Sequence, residues 1–434
     1  MAGQISLFWF RRDLRLEDNR GLLNALHAGL PVLPVFIFDL NIIDELPDDD
    51  ARITFIHKQL SGINDRLQKR GSSLRVDRGD PLAVWKQYLN EYNIGAVFTN
   101  KDYEPYAIER DRKVEKLLQD HGIPLYRSKD QVIFEEDEIV KDNGRPYTVY
   151  TPYKRKWLEA YREQKQSPPD SDIPRGFLPV LFSFPSLAEL GFKESAIQVK
   201  PYDLSRKSEY HIFRDFPAED ATTYLSPHLR FGTVSIRQVM TRLGPSDQIL
   251  MEELIWREFF MQILFHFPHV VERNFNPGYD DIIWRNSEQE FEAWCRGQTG
   301  YPLVDAGMRQ LNSTGYMHNR VRMNSASFLC KHLLVDWRWG EAYFAEKLLD
   351  FELASNNGNW QWAAGTGCDA VPYFRIFNPH VQLKRFDPNL EYVRRWVPEY
   401  GTRDYPDQVV DHHSARNRAL AAYRKGIEQG AGSF

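Results

Sequence analysis

The first part of the chain alternates short apolar runs with amphipathic stretches. This alternation is typical of domains in which helices cover a parallel sheet. We predict strands at residues 5–10, 32–39, 73–77, 96–99 and 124–126. The amphipathic stretch 52–71 ends at Gly71, which suits a helix C-terminus because glycine adopts the left-handed conformation without strain. The pattern predicts a doubly wound, Rossmann-like sheet of about five strands.

The pattern changes after residue 130. Residues 131–201 are rich in proline, serine and charge, so we predict a long interdomain connector there. Beyond residue 202 helical runs dominate, and the run 248–267 is apolar nearly all round, which is typical of a buried helix. The predicted fold class is therefore α/β plus all-α, with an α/β domain at 1–130, the connector at 131–201 and a helical domain at 202–434.

Composition narrows the class of protein. Hydrophobic residues make up 42% and charged residues 26% of the chain, as in soluble globular proteins. The three cysteines lack CxxC spacing, so no cysteine zinc site or disulfide framework is indicated, and we expect a cytoplasmic location. We expect no signal peptide and no membrane-spanning stretch. The net charge of −5 does not itself indicate nucleic-acid binding, but a local basic surface is compatible with it.

Tryptophan is concentrated in the second half of the chain. Eight of the eleven tryptophans lie beyond residue 250, and the span 316–378 mixes them with Arg, Asn and acids. Leucine and isoleucine would fill a core without an indole N–H that needs a hydrogen-bond partner. This span is therefore the first candidate for function.

The run 248–267 also carries a polar cluster. Glu253, Trp256 and Arg257 lie at positions i, i+3 and i+4, so they share one helix face. An intrahelical Glu–Arg pair beside a core tryptophan explains this spacing, and so does a binding site.

The sequence TTYLSPHLRFG, at residues 222–232, contains a helix start. Ser226 and Pro227 stand in N-cap and N1 order ahead of an apolar stretch. Capping alone explains these two residues, but a helix N-terminus beside Thr222 and Thr223 also suits a pyrophosphate.

A further helix start follows Gly315. Arg320 and Arg322 lie in its first turn, where positive charge is unfavourable to the helix dipole. A solvated basic turn is one interpretation. The other is an acid or anion that compensates the charge, and Asp350 is the candidate for Arg322. The Asn-Asn-Gly run at 356–358 indicates a turn or helix break whose amides can hydrogen-bond a heterocycle.

Three common site types lack support. Residues 365–370 formally match GxGxxA, but they lead into Val-Pro-Tyr instead of lying between a strand and a helix. The 12 histidines show no HExxH spacing, so no metal site is indicated. A serine hydrolase is not indicated, because GxSxG is absent.

Five motifs in fixed order carry a resemblance that runs over nearly the whole chain. They are WFRRDLRLEDN, TTYLSPHLRFG, ELIWREFF, TGYPLVDAGMRQLNSTGYMHNRVRM and NNGNWQWAAGTGCDAVPYFRIFNP. Together they closely resemble the photolyase/cryptochrome flavoproteins, specifically class I cyclobutane pyrimidine dimer photolyases. The resemblance implies an N-terminal α/β antenna domain and a C-terminal helical domain that binds FAD.

The resemblance also implies a set of FAD contacts. These are Tyr210, Thr222, Thr223, Tyr224, Leu225, Ser226, Arg257, Asn319, Arg322, Asp350, Glu352 and Asn356. Asn356 matches the asparagine that faces flavin N5, and Arg322 with Asp350 matches an ion pair beside the ring. Glu352 stands where the family leads us to expect Asp, and its extra methylene shifts the hydrogen bonds it can offer.

Lesion binding and electron transfer follow from the same resemblance. The matched lesion and DNA contacts are Glu253, Trp256, Asn319, Arg320, Met323, Trp362 and Arg375. Arg320 and Arg375 match phosphate contacts. The matched electron carriers to photoexcited flavin are Trp360, Trp337 and Trp284, and for each the alternative is an ordinary core tryptophan. Catalytic roles thus fall on Glu253, Asn356 and these three tryptophans.

The implied function is the light-driven repair of cyclobutane pyrimidine dimers in DNA, by electron transfer from excited FADH− to the flipped dimer. The enzyme would be a carbon–carbon lyase, and we expect a monomer with no membrane partner. A (6-4) photolyase would carry His at positions 319 and 323, which here are Asn319 and Met323. A plant-type cryptochrome photoreceptor would replace Asn356 by Asp, and a DASH-type cryptochrome would differ in WQWAAGTGCD.

The antenna chromophore stays open. Residues 103–109 follow a predicted strand, where ligands of α/β domains dock, and Glu109 matches an acid that contacts folate in some relatives. A solvated loop explains the same residues. The candidates are methenyltetrahydrofolate, an 8-hydroxy-deazaflavin, a second flavin or no antenna.

Overall fold

The structure is a computed structural model that describes residues 3–164 and 172–431. Within these residues the chain forms two compact units. The first draws on Met1–Glu138, Tyr161–Tyr202 and Tyr224–Gly244, and the second on Ile139–Ala160, Asp203–Thr223 and Pro245–Phe434. The two units interleave along the sequence, and the domain boundaries at 130 and 201 stay a prediction.

The first unit contains a five-stranded sheet. Its strands are β1 (Ile5–Phe10), β2 (Val32–Asp39), β3 (Arg75–Gly79), β4 (Ile94–Asn100) and β5 (Leu125–Ser128). All paired strands are parallel, in the order β3-β2-β1-β4-β5. The predicted doubly wound sheet is confirmed. Strand β3 begins later than the predicted residue 73, because the Ser73 hydroxyl donates to the Val180 carbonyl at 3.0 Å and accepts from Phe182 N at 2.8 Å.

Side chains of β1 alternate between two hydrophobic clusters, as expected for a strand covered on both faces. Phe8 and Phe10 join one cluster, and Leu7 and Trp9 join the other. Parallel strands buried in this way place their carboxyl ends, and the polar residues that follow them, along one edge of the sheet.

The first nine helices, in chain order, are α1 (Arg20–His27), α2 (Leu40–Ile43), α3 (Ala51–Gln68), α4 (Pro81–Glu91), α5 (Pro105–Gln119), α6 (Tyr150–Glu163), α7 (Tyr210–Phe213), α8 (Leu225–Arg230) and α9 (Ile236–Met240). The next nine are α10 (Gln248–His266), α11 (Glu288–Arg296), α12 (Pro302–Thr314), α13 (Asn319–Ser327), α14 (Trp337–Lys347), α15 (Leu353–Ala364), α16 (Pro379–Phe386), α17 (Glu391–Trp396) and α18 (His412–Ala431). The predicted helical part is confirmed.

The core of the second unit is built around α10 and α15. A Cβ at Gly358 of α15 would collide with the Phe260 ring of α10, so this glycine allows the two helices to approach closely. A Cβ at Gly340 of α14 would likewise collide with the indole of Trp360. The two glycines therefore bring α10 and α14 against α15, the helix that carries Asn356 and Trp360.

The helical run over 319–335 is not one continuous α-helix. Helix α13 ends at Ser327 and passes into a π-helical stretch, Phe328–Leu333. The buried Lys331 lies in this stretch and donates to the Ala364 carbonyl at 2.6 Å, at the C-terminal end of α15. No helix within residues 3–164 and 172–431 is long and apolar enough to cross a membrane.

Candidate functional site

The start of α13 is capped by a neutral histidine. His318 Nδ1 accepts a hydrogen bond from Arg320 N at 3.2 Å. Burial, together with the nearby positive charges of Arg320 and Arg322, lowers the pKa of His318 to about 4. The cap therefore acts as an acceptor at neutral pH and adds no positive charge beside the two arginines.

Arg322 forms a two-point ion pair with Asp350. Its Nη1 lies 3.2 Å from Asp350 Oδ1 and its Nη2 lies 2.9 Å from Oδ2. The third donor, Nε, bonds the Met317 carbonyl at 2.8 Å. The predicted partnership of Arg322 with Asp350 is confirmed. Such a fork fixes the orientation of both side chains.

Asn356, near the start of α15, has a fixed amide. Its Nδ2 donates to Glu341 twice, to the backbone oxygen at 3.1 Å and to Oε1 at 2.8 Å. Burial raises the pKa of Glu341, and the bond from Asn356 offsets part of this rise. Because Nδ2 is used by Glu341, Oδ1 is the atom of Asn356 that can accept a hydrogen bond. Sequence reasoning missed Glu341, since it lies on another helix.

Glu352 caps α15. Its carboxylate accepts from Ala354 N at 3.2 Å and from Ser355 N at 2.9 Å. A carboxylate at this position satisfies free amides and suits the positive end of the helix dipole. Glu352 thus has a structural role, and its contact with a flavin stays a prediction.

On α10, Glu253 forms its ion pair with Arg214, at 2.7 Å between Oε1 and Nη1. The Glu–Arg partner considered from the helical spacing was Arg257, whereas the ion pair found for Glu253 is with Arg214, outside the helix. Arg214 lies directly after α7, in a segment where we predicted no site residue except Tyr210, Thr222 and Thr223. No periodicity in the sequence links residues 214 and 253.

Trp256 is held by a second aromatic ring. The Tyr150 ring stacks on the indole with centroids 3.6 Å apart and planes 9° apart. The Tyr150 hydroxyl donates to the Glu252 carbonyl at 2.8 Å, and Phe260 lies 5.4 Å from the indole. Trp256 therefore keeps a fixed orientation.

Arg320 has a different partner from Arg322. Its Nη2 and Nε lie 2.6 and 3.2 Å from Asp215 Oδ1. Its guanidinium stacks 4.5 Å from the Phe386 ring centre, and Nη1 lies 3.5 Å from Met323 Sδ. The predicted lesion residues Arg320 and Met323 are thus in contact.

The remaining site residues that we predicted in the second unit are exposed or only partly buried. Asn319 and Arg375 are exposed, and Trp362 is partly buried at the edge of the core. Tyr210 lies under Arg214, with 5.4 Å between guanidinium and ring, and its pKa is raised to about 12 by burial and by the charge of Glu253. The half-buried residues Thr222, Thr223 and Arg257 complete the set in this unit.

Tyr224, Leu225 and Ser226 belong to the first unit. Helix α8 begins at Leu225, and Tyr224 is its N-cap residue with a left-handed φ of 48°. Ser226 is exposed and lies inside the helix, so its predicted N-cap role is wrong. The helix begins earlier because Tyr224 turns the chain, and the Tyr224 hydroxyl accepts from Lys200 Nζ at 2.8 Å.

The three predicted electron carriers pack against one hydrophobic cluster. Trp360 and Trp337 are buried and Trp284 is partly buried. Trp337 Nε1 donates to Asn274 Oδ1 at 2.9 Å, whereas the buried Trp360 Nε1 has no acceptor among the described residues. The Trp360 ring lies 6.1 Å from that of Trp294, a fully buried tryptophan that we did not single out from the sequence.

Comparison with known proteins identifies the family. Residues 6–171 match the family model "DNA photolyase", and residues 250–403 match "FAD binding domain of DNA photolyase". The deoxyribodipyrimidine photo-lyase of Agrobacterium fabrum is 38% identical over 96% of this chain and 97% of the relative. That of Escherichia coli is 36% identical over 97% and 99%. The chain belongs to the DNA photolyase family.

Solved structures agree with this assignment. A class III photolyase from Agrobacterium tumefaciens superposes with a TM-score of 0.86 at 35% identity, covering 99% of this chain and 98% of its own. A Sulfolobus tokodaii photolyase with two FAD molecules gives 0.85 at 36%, covering 97% and 100%. A Synechocystis cryptochrome shares the fold at 0.84, but is only 26% identical, covering 97% and 100%.

The donors and acceptors of this photolyase-family chain fit an FAD-binding site. Asn356 offers a fixed acceptor, which suits a ring N–H. The Arg322–Asp350 fork places a cation and a buried acid side by side. Within residues 3–164 and 172–431 no cluster of His, Cys, Asp and Glu is arranged to hold a metal ion.

The predicted antenna residue, Glu109, is exposed and pairs with Arg112 at 2.9 Å and Lys113 at 3.6 Å. The structure instead brings together other polar residues where β2 ends. The Tyr106 hydroxyl donates to Asp39 Oδ2 at 2.6 Å, and Arg110 lies 3.6 Å from the same oxygen. The role of Glu109 stays a prediction.

Proposed function

We propose that this chain is a light-dependent deoxyribodipyrimidine photo-lyase, which uses FAD to repair cyclobutane pyrimidine dimers in UV-damaged DNA. The fixed amide of Asn356 carries the proposal, because Glu341 takes both donor contacts of Nδ2 and leaves Oδ1 as an acceptor. Asn356 lies within the region that matches the FAD-binding domain. The relatives at 36–38% identity are named for this activity.

On this proposal FAD would be held in the second unit by Asn356, Arg322 and Asp350, together with the other predicted contacts. When bound and reduced, FAD supplies the light-excited electron that splits the cyclobutane ring and recovers it afterwards. Asn356 would hold FAD through Oδ1, which is available to accept a hydrogen bond from a ring N–H of the reduced form. The Arg322 guanidinium holds its orientation because Asp350 and the Met317 carbonyl use all three of its donor nitrogens.

The chain's own residues bind and orient the lesion. Photolyases are a known example of enzymes that flip their target out of the duplex, and two indoles suit the stacking of a flipped base. Trp256 and Trp362 take this role. Glu253 can accept from a thymine N–H once its pairing with Arg214 is exchanged. Arg320 and Arg375 hold phosphates.

No residue of the chain needs to act as a nucleophile. The predicted relay, Trp360, Trp337 and Trp284, would pass electrons from an external reductant at the protein surface to photoexcited oxidised FAD. Trp360 is suited to the position next to FAD, because it is buried and lies one helical turn from Asn356 on α15.

The experiment compares repair in blue light and in darkness. Purified, reduced protein is incubated with a duplex that bears one thymine dimer, and recovery of thymine absorbance is followed. We expect recovery only in light. A matched duplex with a (6-4) photoproduct should not be repaired, since Asn319 and Met323 stand where a (6-4) photolyase has histidines. Tight flavin binding without repair of either lesion would overturn the proposal and favour a photoreceptor.

A further inference from the structure

Two consecutive residues after α7 connect two helices of the second unit. Arg214 Nη1 pairs with Glu253 Oε1 of α10 at 2.7 Å. Asp215 Oδ1 pairs with Arg320 of α13, at 2.6 Å from Nη2 and 3.2 Å from Nε. Glu253 and Arg320 are the predicted contacts to the lesion and to a DNA phosphate. One short turn therefore holds both DNA-facing residues.

We infer that Asp215 determines specificity, by competing with DNA phosphate for Arg320 so that undamaged DNA binds weakly. This inference rests on the proposed function. The planar guanidinium of Arg320 can bind either a carboxylate or a phosphate through two N–H groups. A DNA phosphate can therefore replace Asp215 if the exchange costs little free energy. The Asp215 side chain is 35% exposed and that of Arg320 is 20% exposed, which leaves the pair accessible to an incoming phosphate.

The two ion pairs are linked because residues 214 and 215 are neighbours in the chain. A shift of the turn that frees Arg320 also disturbs the pair between Arg214 and Glu253. Undamaged duplex DNA offers phosphates to the two arginines but leaves Glu253 without a partner. A flipped dimer offers phosphates and, in addition, N–H groups for Glu253. Only lesion DNA therefore provides new partners for the residues of both broken ion pairs, Arg320–Asp215 and Arg214–Glu253.

Local charge supports the same conclusion. Three arginines face three acids at this site, in the pairs Arg214–Glu253, Arg320–Asp215 and Arg322–Asp350. His318 adds no charge at neutral pH, since burial lowers its pKa to about 4. The removal of Asp215 would leave the guanidinium of Arg320 uncompensated on this surface. Undamaged DNA would then gain a phosphate contact without displacing an acid.

The test is DNA binding in the dark, which does not depend on photochemistry. Asp215→Asn is compared with Glu219→Gln, which removes one charge from an exposed position of the same segment. Fluorescence anisotropy gives the affinities for undamaged and dimer-bearing duplexes over a range of salt. Asp215→Asn should bind undamaged DNA about fivefold or more tightly, with a smaller change on dimer DNA. The slope of log K against log salt should steepen by about 0.9.

Glu219→Gln should change neither the discrimination nor the slope. Asp215→Glu should restore both, and Asp215→Ser provides a second uncharged variant if Asp215→Asn folds poorly. Affinities for undamaged DNA that match the wild type, or an equal gain in Glu219→Gln, would overturn the inference. If wild-type protein shows no preference for dimer DNA, the proposed function fails instead, so the two failures are distinguishable.

Discussion

Arg320 and Arg322 lie two residues apart on α13, yet their ion pairs differ in kind. Arg322 meets Asp350, whose side chain is 6% exposed, through two parallel bonds. Arg320 meets Asp215, whose side chain is 35% exposed, through one carboxylate oxygen. Residues at i and i+2 do not share a helix face, so the two pairs have different surroundings.

The difference suits two tasks. A pair with a buried acid is costly to break, because the separated charge is left without water. It therefore holds one geometry, as a cofactor site requires. A pair whose acid is partly exposed contributes less to stability and exchanges partners more easily. It therefore suits a surface that must release an arginine to DNA. On the proposed function, helix α13 would thus carry a rigid arginine for the flavin site and an exchangeable arginine for DNA.

We expect the largest effect from a substitution of Asn356, whose amide is held in place by Glu341. Asn356→Asp replaces the Nδ2 donor by a second carboxyl beside Glu341, whose pKa burial already raises. We expect repair to fall by about a hundredfold. The loss should grow as pH rises, because deprotonation of both carboxyls brings two negative charges together. Asn359→Asp, at an exposed position of the same helix, is the control. Equal repair rates in both variants would argue against the role of Asn356.

The ion pairs of Asp350 and Asp215 can be compared directly through the free energy of unfolding of variants that lack each acid. Asp350→Asn leaves Arg322 without its buried partner and should lower the free energy of unfolding by about 3 kcal/mol, with loss of bound FAD. Asp215→Asn should lower the free energy of unfolding by less than about 1 kcal/mol, because the Asp215 side chain is partly exposed to water. Denaturant unfolding and the flavin-to-protein ratio provide the measurements. Similar losses in the two variants would remove the contrast between a rigid and an exchangeable pair.

The neutral N-cap residue of α13, His318, gives the stability a pH dependence. The pKa of His318 is about 4 in the folded protein, below its ordinary value of 6.5. The unfolded chain therefore binds the proton more readily, and the stability from this residue is full above pH 6.5 and is lost as pH falls towards 4. We expect the loss to be about 2–3 kcal/mol. His318→Asn keeps an N-cap acceptor and should flatten this part of the profile. Thermal unfolding of both proteins between these pH values shows whether it does.

We expect the smallest effect from Tyr150, whose ring stacks on Trp256, the proposed lesion contact. Tyr150→Leu removes the ring that lies 3.6 Å from Trp256 and should weaken dimer binding by about fivefold. Tyr150→Phe keeps the ring and loses only the hydrogen bond to Glu252, so its affinity should stay near that of the wild type. Anisotropy with dimer DNA measures both. A loss in Tyr150→Phe as large as in Tyr150→Leu would assign the effect to the hydroxyl.

Local patterns in the sequence predicted the sheet and one ion pair of the site. The strands of the first unit follow from their apolar runs, and the partner of Arg322 follows from the unfavourable charge at a helix N-terminus. Both arguments use interactions within an element or at its end. The left-handed conformation of Tyr224, which moved the start of α8, has no such local signal, since a tyrosine adopts it rarely.

The contacts that sequence reasoning missed are those that join distant segments. Glu253 pairs with Arg214, Arg320 with Asp215, and Asn356 with Glu341. No spacing rule connects these positions, because tertiary packing sets them. The resemblance supplied the residues on one side of each contact, and the structure supplied their partners.

The most direct test of the account is single-turnover repair of a thymine-dimer duplex by the reduced, FAD-loaded protein, in blue light and in darkness. We expect thymine absorbance to recover in light and not in darkness, and the wild-type protein to bind the dimer duplex more tightly than its undamaged counterpart. Recovery in darkness, or flavin-loaded protein that neither repairs nor prefers the dimer duplex in light, would contradict it.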